Sequence, residues 1–198
     1  MLLSNRQKEI LIGTLLGDGC LEKNGKNVRL RIEHGLSQKD YLDWKYRELQ
    51  NLIAGKPRLV QNKGGFTEKI YAKWHFSTLS LFELNDYWRK FYFRKKKKIP
   101  SNIIEFLKSP LSLAVWYMDD GYKRNDCNAS RISTDSFSYK ENKLLQECLK
   151  INFGLNVRLH RKGTFWNIYI PSPELKKFYR IVKPYIVPEM DYKISLTP

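Results

Sequence analysis

Two short segments that lie about half the chain apart have nearly the same pattern. Residues 11–19 read Leu-Ile-Gly-Thr-Leu-Leu-Gly-Asp-Gly, and residues 113–121 read Leu-Ala-Val-Trp-Tyr-Met-Asp-Asp-Gly. Each is an apolar stretch typical of a buried helix, and each stops at an acidic residue followed by glycine, at Asp18 and at Asp120. The repetition predicts two copies of one folding unit, each of which ends a buried helix on a carboxylate.

The elements predicted along the chain follow the same order in both halves. In the first half, capping, alternation and helical spacing predict helices over about 4–17, 38–53 and 79–92 and strands over 28–34, 58–61 and 69–76. In the second half, the same signals predict helices over 110–119, 139–151 and 174–182 and strands over 131–134, 156–161 and 166–170. The chain is therefore predicted to be an α+β protein with two pseudo-symmetric α-β-β-α-β-β-α halves, residues 1–98 and 99–198. In both halves, the hairpin partner of the first strand is poorly defined by the sequence.

Two glycines in the first segment indicate how the repeated helices meet. Gly13 and Gly17 lie four residues apart, on one face of the predicted helix. Small residues at this spacing let a second backbone approach closely. We therefore expect the two helices to pack side by side, with Asp18 and Asp120 close together at their C-terminal ends.

The charge balance points to the class of partner. The 198 residues include 36 Lys and Arg against 20 Asp and Glu, a formal net charge of +16. Such an excess favours a polyanion, most often a nucleic acid. A ribosomal-type basic protein stays an alternative, whereas a membrane-surface protein is disfavoured because no amphipathic cationic helix stands out.

Several other classes of protein are disfavoured. The three cysteines are scattered, which is unsuited to a disulfide framework and fits a reducing compartment. The three histidines are equally scattered, so no zinc-ligand spacing occurs. The chain has no apolar run of roughly 18 residues and no secretory signal order at its N-terminus, so we expect an intracellular protein without a membrane partner.

The paired carboxylates carry the predicted chemistry. The C-terminal end of a helix is the negative end of its dipole, so Asp18 and Asp120 would repel each other there unless a divalent cation lay between them. Hard oxygen ligands suit Mg²⁺, which also takes phosphate oxygens as ligands. A basic chain with such a centre is typical of a metal-dependent phosphodiesterase that acts on nucleic acid.

The two segments resemble the paired signature of the LAGLIDADG homing endonucleases of the two-motif, monomeric type. The resemblance runs from about residue 10 to residue 194 and includes Lys-Lys-Ile-Pro at 97–100 and Pro-Glu-Met-Asp-Tyr-Lys-Ile at 188–194. It implies that the signature helices lie at the centre of the monomer. It also implies that curved antiparallel sheets form a DNA-binding saddle.

The resemblance also implies roles for individual residues. Asp18 and Asp120 would bind Mg²⁺, for which Mn²⁺ is expected to substitute, and the backbone carbonyls of Gly17 and Asp119 would assist. A basic residue near each acid would act in catalysis, which by position is Lys97 in the linker and Lys193 near the C-terminus. Lys123 also resembles a basic active-site position of some members. Three alternatives stay open. The basic residue of the linker could be Lys95, Lys96 or Lys98 instead of Lys97, and Lys193 could be a surface residue. The Asp119 side chain is interpreted as a helix-end residue in preference to a third metal ligand.

The signature also has a departure. Val115 and Asp119 occupy positions where the ideal signature has small residues. This predicts an unequal helix contact, which a monomer tolerates and a symmetric dimer would not.

Alternating polar residues on the strands are the predicted DNA contacts. The polar face is mostly basic, which favours groove binding over the alternative of a solvated sheet face. The residues predicted to contact DNA are Arg29, Arg31, Glu33, Lys69, Lys73 and His75 in the first half and Arg158, His160, Arg161 and Asn167 in the second.

The predicted function is that of a site-specific double-strand DNA homing endonuclease encoded in an intron. It would hydrolyse one phosphodiester on each strand across the minor groove and leave short 3′ overhangs at a long, non-palindromic site. Its compartment would be a mitochondrion or chloroplast, or the cytoplasm of a bacterium or phage host. The alternatives are a group I intron RNA maturase and a DNA-binding regulator on a decayed nuclease scaffold, but neither requires both Asp18 and Asp120.

Overall fold

The computed structural model of the chain describes residues 2–63 and 70–195. In the first half, the elements are α1 (Asn5–Leu16), β1 (Cys20–Asn24), β2 (Asn27–Gly35), α2 (Lys39–Glu48), β3 (Arg58–Lys63), β4 (Ile70–Ser77) and α3 (Leu84–Phe91). A connecting segment follows, with the short hairpin β5 (Tyr92–Phe93) and β6 (Lys96–Lys97) and the one-turn helix α4 (Ile103–Phe106).

The second half repeats the order of the first. Its elements are α5 (Pro110–Asp120), β7 (Gly121–Lys123), β8 (Ser130–Ile132), α6 (Tyr139–Phe153), β9 (Arg158–Lys162), β10 (Phe165–Ile170) and α7 (Ser172–Val182). Short 3₁₀ turns follow α7 at 183–185 and 188–193. None of the helices in the described part of the chain combines the length and the apolar character that a bilayer crossing requires.

Each half contains one four-stranded antiparallel sheet. The strand orders are β1-β2-β4-β3 and β7-β8-β10-β9, so the two sheets have the same topology. The predicted alternation on β2 is confirmed, because Val28, Leu30 and Ile32 are buried whereas the intervening residues are half-buried. The predicted α+β class and the repeated order of elements are likewise confirmed.

Two predicted helices are shorter than expected, and tertiary contacts account for one of them. The third helix was predicted from residue 79 but begins at Leu84. Before it, the Leu81 amide donates to the Val28 carbonyl at 2.8 Å, so the segment after β4 continues to pair with the inner strand β2. The second helix ends at Glu48, and a 3₁₀ turn continues it over 50–52.

The central contact of the molecule is between α1 and α5, and it depends on the two glycines. A Cβ atom built on Gly13 would lie 2.4 Å from the Ser112 carbonyl oxygen, and one built on Gly17 would lie 2.5 Å from Asp119 Cβ. The Ser112 hydroxyl also donates to the Glu9 carbonyl at 2.8 Å. The predicted close approach is therefore confirmed, and it is unequal: glycines on α1 face larger residues on α5.

Gly13→Ala should be strongly destabilising. The added methyl group would press on backbone of α5, which cannot rotate away as a side chain can, so we expect a loss of about 3 kcal/mol. The measurement is urea unfolding, with Gly55→Ala as the control because no atom lies within 4 Å of a Cβ built there. Equal midpoints for the two variants would contradict the close helix contact.

The turn of the β5–β6 hairpin is strained. Arg94 and Lys95 have φ angles of 46° and 66°, a left-handed conformation at both central residues of a two-residue turn. Asn and Gly are preferred in such a turn. The double variant R94N/K95G should therefore stabilise the chain by about 1 kcal/mol. Lys96→Gly, outside the left-handed pair, should destabilise it, and a shift of both midpoints in the same direction would refute the strain.

Candidate active site

The C-terminal ends of α1 and α5 carry matching lysine contacts. The Lys97 ammonium donates to the carbonyls of Gly17 and Gly19, both at 2.7 Å. The Lys193 ammonium donates to the carbonyls of Met118 and Asp119, at 2.6 and 3.3 Å. Carbonyls at a helix C-terminus lack helical partners and carry partial negative charge, so a cation stabilises each end.

The lysine of the basic run that reaches this centre is Lys97. Desolvation by burial lowers the pKa of both Lys97 and Lys193, and the nearby aspartates partly oppose this. Lys123 is placed differently, because its ammonium donates to the Ser195 carbonyl at 2.6 Å. The described contacts therefore bring Lys97 and Lys193 to the helix ends, and they bring Lys123 to the C-terminal segment.

The carboxyl groups of Asp18 and Asp120 both have raised pKa values. Burial, together with the charges of Asp18 and Asp119, raises the pKa of Asp120 to about 8, although the charges of Lys97 and Lys193 partly oppose this. The pKa of Asp18 is also raised, first by desolvation and then by the charge of Asp119. Two carboxylates that resist ionisation together form a place where a cation would be favoured.

The Asp119 side chain lies beneath this centre in a buried ion pair. Its carboxylate oxygens accept from Lys45 Nζ at 2.7 and 2.9 Å, and neither side chain is exposed. The Tyr41 hydroxyl donates to Asp119 Oδ1 at 2.8 Å, and the Asp18 amide donates to Asp119 Oδ2 at 3.2 Å. Burial alone would raise the pKa of Asp119, but the charges of Lys45 and His34 and the hydrogen bonds outweigh it and lower that pKa.

This ion pair was missed by sequence reasoning. The helical stripe of α2 that includes Tyr41 and Lys45 is otherwise apolar, and both residues are buried. A lysine in an apolar stripe signals a buried cation that needs a partner. The sequence alone did not identify that partner as Asp119, because it lies in the other half.

His34 borders the same cluster. Its Nδ1 lies 3.7 Å from Asp18 Oδ2 and its Nε2 lies 3.9 Å from Asp119 Oδ1. Burial, with the charge of Lys45, lowers the pKa of His34 to about 4, so the ring is neutral at pH 7. Atoms of Asp18, His34 and Asp119 come within 4.8 Å of one another, but the Asp119 oxygens are already occupied by Lys45 and Tyr41. That trio is therefore a poor cation site.

One face of the first sheet gathers the predicted basic residues. Glu33 lies opposite His75 in the register, and Gly35 lies opposite Lys73, so the predicted contacts on β2 and β4 share this face. Arg29 and Arg31 pair with Glu22 at 3.0 and 2.8 Å. Arg31 and Lys73 also pair with Glu33. Lys69 lies outside the described residues.

Arg58 was not predicted as a DNA contact. It lies opposite His75 in the register and lines the same groove as Arg29 and Arg31. The sequence could have indicated this contact, because Arg58 is a basic residue that alternates with Leu59 on the strand predicted at 58–61.

The second sheet has a corresponding face. Tyr169 pairs in register with Arg158 and Arg131, and the His160 ring stacks on Tyr169 with centroids 4.0 Å apart. Asn167 lies opposite His160 and donates to Asp135 Oδ1 at 3.0 Å. Arg131, which was not predicted as a DNA contact, therefore joins three residues that were.

Arg161 does not lie on that face. It pairs in register with Trp166, and its neighbours by alternation are Leu159 and the core residue Ile168. Its Nε donates to the Gly163 carbonyl at 2.8 Å at the hairpin turn. The inclusion of Arg161 with Arg158 and His160 was wrong in this respect, because adjacent residues of a strand point to opposite faces.

Comparison with known proteins settles the family. The family model of the LAGLIDADG DNA endonucleases matches residues 8–178. The chain belongs to this LAGLIDADG family. It is accordingly a DNA-cleaving hydrolase of the homing endonuclease type, as the paired signature predicted.

Relatives of this LAGLIDADG protein match nearly its whole length. It is 33% identical to the cytochrome b mRNA maturase bI2 of Debaryomyces hansenii, over 98% of this chain and 75% of the relative. It is 32% identical to the DNA endonuclease I-ChuI of Chlamydomonas applanata, over 98% of this chain and 97% of the relative. Among solved structures, the homing endonuclease I-WcaI bound to its DNA recognition sequence is similar with a TM-score of 0.92 and 29% identity, over all of this chain and 89% of that one.

The donor set at the helix ends of this LAGLIDADG enzyme fits a hard divalent cation. Asp18 and Asp120 supply carboxylate oxygens, whereas the predicted carbonyl ligands of Gly17 and Asp119 accept from Lys97 and Lys193 in the metal-free chain. These are oxygen ligands without thiolate or free imidazole, which suits Mg²⁺ or Mn²⁺. Burial beside Asp18 and Asp119 raises the pKa of Asp120, so the ionised pair is unfavourable without added positive charge.

Proposed function

We propose that this chain acts as a monomer that hydrolyses one phosphodiester on each strand of a specific DNA duplex, with one active centre built from both halves. The halves are residues 1–98 and 99–198. The observation that carries the proposal is the pair of aspartates at the ends of two packed helices, with Lys97 and Lys193 donating to the flanking carbonyls.

Asp18 and Asp120 would hold Mg²⁺, and Mn²⁺ is expected to substitute. When bound, the cation supplies Lewis acidity toward the scissile phosphate and lowers the pKa of an attacking water. Lys97 and Lys193 lie where an ammonium can balance charge that builds up on the phosphate. Their lowered pKa values keep the protonated and neutral forms closer in free energy than for an exposed lysine.

The basic sheet faces would bind the DNA. In the free protein, arginines of the first face are paired with Glu22 and Glu33, and these pairs can exchange for phosphate or base contacts. The two faces differ in sequence, because the first is rich in ion pairs and the second has the stacked Tyr169 and His160. Unequal faces favour a long, non-palindromic site, read by two curved sheets that straddle the duplex.

An RNA maturase is the second candidate, and the similarity to a maturase is the observation in its favour. RNA binding would use the basic surface but would give no role to two coupled carboxylates at the helix ends. The nuclease proposal accounts for both features, so we prefer it.

The proposal can be tested with a plasmid that carries the intronless form of the gene from which the chain originates. We expect Mg²⁺ or Mn²⁺ to give a linear product with short 3′ overhangs, and EDTA or a scrambled site to give none. A matched control is an RNA splicing assay with the intron transcript. Splicing assistance without cleavage under either metal would overturn the nuclease proposal in favour of the maturase.

A further inference from the structure

The two active-centre aspartates are held in different ways. Asp120 is the last residue of α5, so its backbone belongs to a regular helix. Asp18 lies beyond the end of α1 at Leu16, where the helical pattern changes. The Gly17 amide still donates to the Gly13 carbonyl, but the Gly19 amide donates to Thr14.

The hydrogen-bond acceptor of the Asp18 amide belongs to the other half of the chain. It donates to Asp119 Oδ2 at 3.2 Å, across the contact between α1 and α5. This hydrogen bond is partly buried, and a desolvated amide without a partner would be unfavourable. The Asp119 carboxylate therefore substitutes for a helical acceptor at the point where α1 ends.

The Asp119 carboxylate is itself held in place by side chains of α2. Lys45 Nζ contacts both of its oxygens, and the Tyr41 hydroxyl contacts Oδ1. The Lys45 ammonium also lies over the Tyr41 ring, 4.7 Å from its centroid. All three side chains are fully buried, so the carboxylate has a single well-defined position.

The arrangement is present on one side only. The repeat places Gly17 at the position that corresponds to Asp119, and a glycine has no side chain to accept from the Asp120 amide. Gln146 on α6 corresponds to Lys45 by the match of Leu36-Ser37 with Phe137-Ser138, and it donates instead to the Val157 carbonyl.

We propose that Asp119, held by Lys45 and Tyr41, is a positioning residue that fixes the Asp18 backbone and so sets the affinity of the active centre for its divalent cation. This inference rests on the proposed function, since it assumes that Asp18 is a metal ligand. It assigns the Asp119 side chain a role without direct contact with the cation. Lys45 acts indirectly, because it holds the Asp119 carboxylate in place.

Two matched double variants test this role. Both K45M/D119N and K45M/D119A remove the buried charges, but only the asparagine keeps a side-chain oxygen that can accept from the Asp18 amide. The readouts are Mn²⁺ binding to the protein by electron paramagnetic resonance, which needs no cleavage, and the Mn²⁺ concentration at half-maximal cleavage. We expect K45M/D119A to need about 10-fold more Mn²⁺ than K45M/D119N, the effect of one lost hydrogen bond.

A purely structural role predicts a different result. It would lower the melting temperature of both double variants and leave their Mn²⁺ affinities equal, and that outcome would overturn the proposal. If K45M/D119A fails to fold, Tyr41→Phe serves instead, because it removes one donor to Asp119 and keeps the ring. It should weaken Mn²⁺ binding by about 3-fold, and unchanged binding would overturn the proposal. Absence of cleavage by the wild type would refute the proposed function, whereas the Mn²⁺ affinities test the positioning role separately.

Discussion

Asp120→Asn should abolish cleavage and at the same time raise the melting temperature of the metal-free protein. The loss of activity follows because the amide cannot supply the charge that holds a divalent cation beside the phosphate. A loss of several kcal/mol of transition-state stabilisation corresponds to at least about 10³-fold in rate. DNA binding should be retained, because Asp120 is not on the basic sheet faces.

The gain in stability follows from the raised pKa of Asp120. In the metal-free fold its pKa is about 8, above the ordinary value of 3.8, because of burial and of Asp18 and Asp119. Between these values the folded state holds a proton that the unfolded state releases, so the wild type loses stability as the pH rises toward 8. The asparagine variant lacks this loss.

The stability difference between Asp120→Asn and the wild type should therefore be small near pH 4 and largest above pH 8. Melting curves in EDTA across this range measure it. Glu147→Gln, at an exposed position on α6, is the control and should change neither activity nor the pH dependence. If the variant is less stable than the wild type at pH 8, the ionised Asp120 carboxylate is not unfavourable in the folded state.

The Lys45→Met variant should unfold at a much lower urea concentration than the wild type. The substitution leaves Asp119 as a buried charge without a cation, which costs about 3–5 kcal/mol. Adding Asp119→Asn removes the stranded charge, so K45M/D119N should recover most of the loss. Lys143→Met, at an exposed position on α6, is the matched control and should leave the midpoint nearly unchanged.

The same variant has a defined pH dependence. Lys45 helps to lower the pKa of Asp119 against the opposing effect of burial. Without Lys45, burial raises that pKa, and protonation of Asp119 at low pH relieves the stranded charge. The destabilisation by Lys45→Met should therefore be smaller at pH 5 than at pH 8. An equal loss at both pH values would mean that lost packing, and not charge, dominates.

Much of the fold and of the central site followed from the repeated segments. The order of elements and the close helix contact at Gly13 and Gly17 were predicted from residue patterns, and the family was predicted from the resemblance of the two signature segments. The position of Lys97 followed from the family resemblance, but the basic run itself could not distinguish it from its neighbours. That choice depends on the β5–β6 hairpin, which orients one lysine toward α1.

The remaining features depend on contacts between distant parts of the chain. The Lys45–Asp119 pair joins residues from different halves, and neither sequence neighbourhood specifies the other. Arg161 was placed on the wrong face because its basic character was given more weight than strand alternation. α3 begins later than predicted because Leu81 pairs with Val28 on β2, a tertiary contact that local helix propensity does not describe.

The central claim is that Asp18 and Asp120, from different halves, form a single active centre. Strand-resolved cleavage of an end-labelled target duplex in Mg²⁺ tests it most directly, with wild type, Asp18→Asn and Asp120→Asn compared side by side. The account predicts that the wild type cuts each strand once and that each variant cuts neither strand. Cleavage of one strand at the wild-type rate by either variant would contradict it, because the two acids would then serve independent sites.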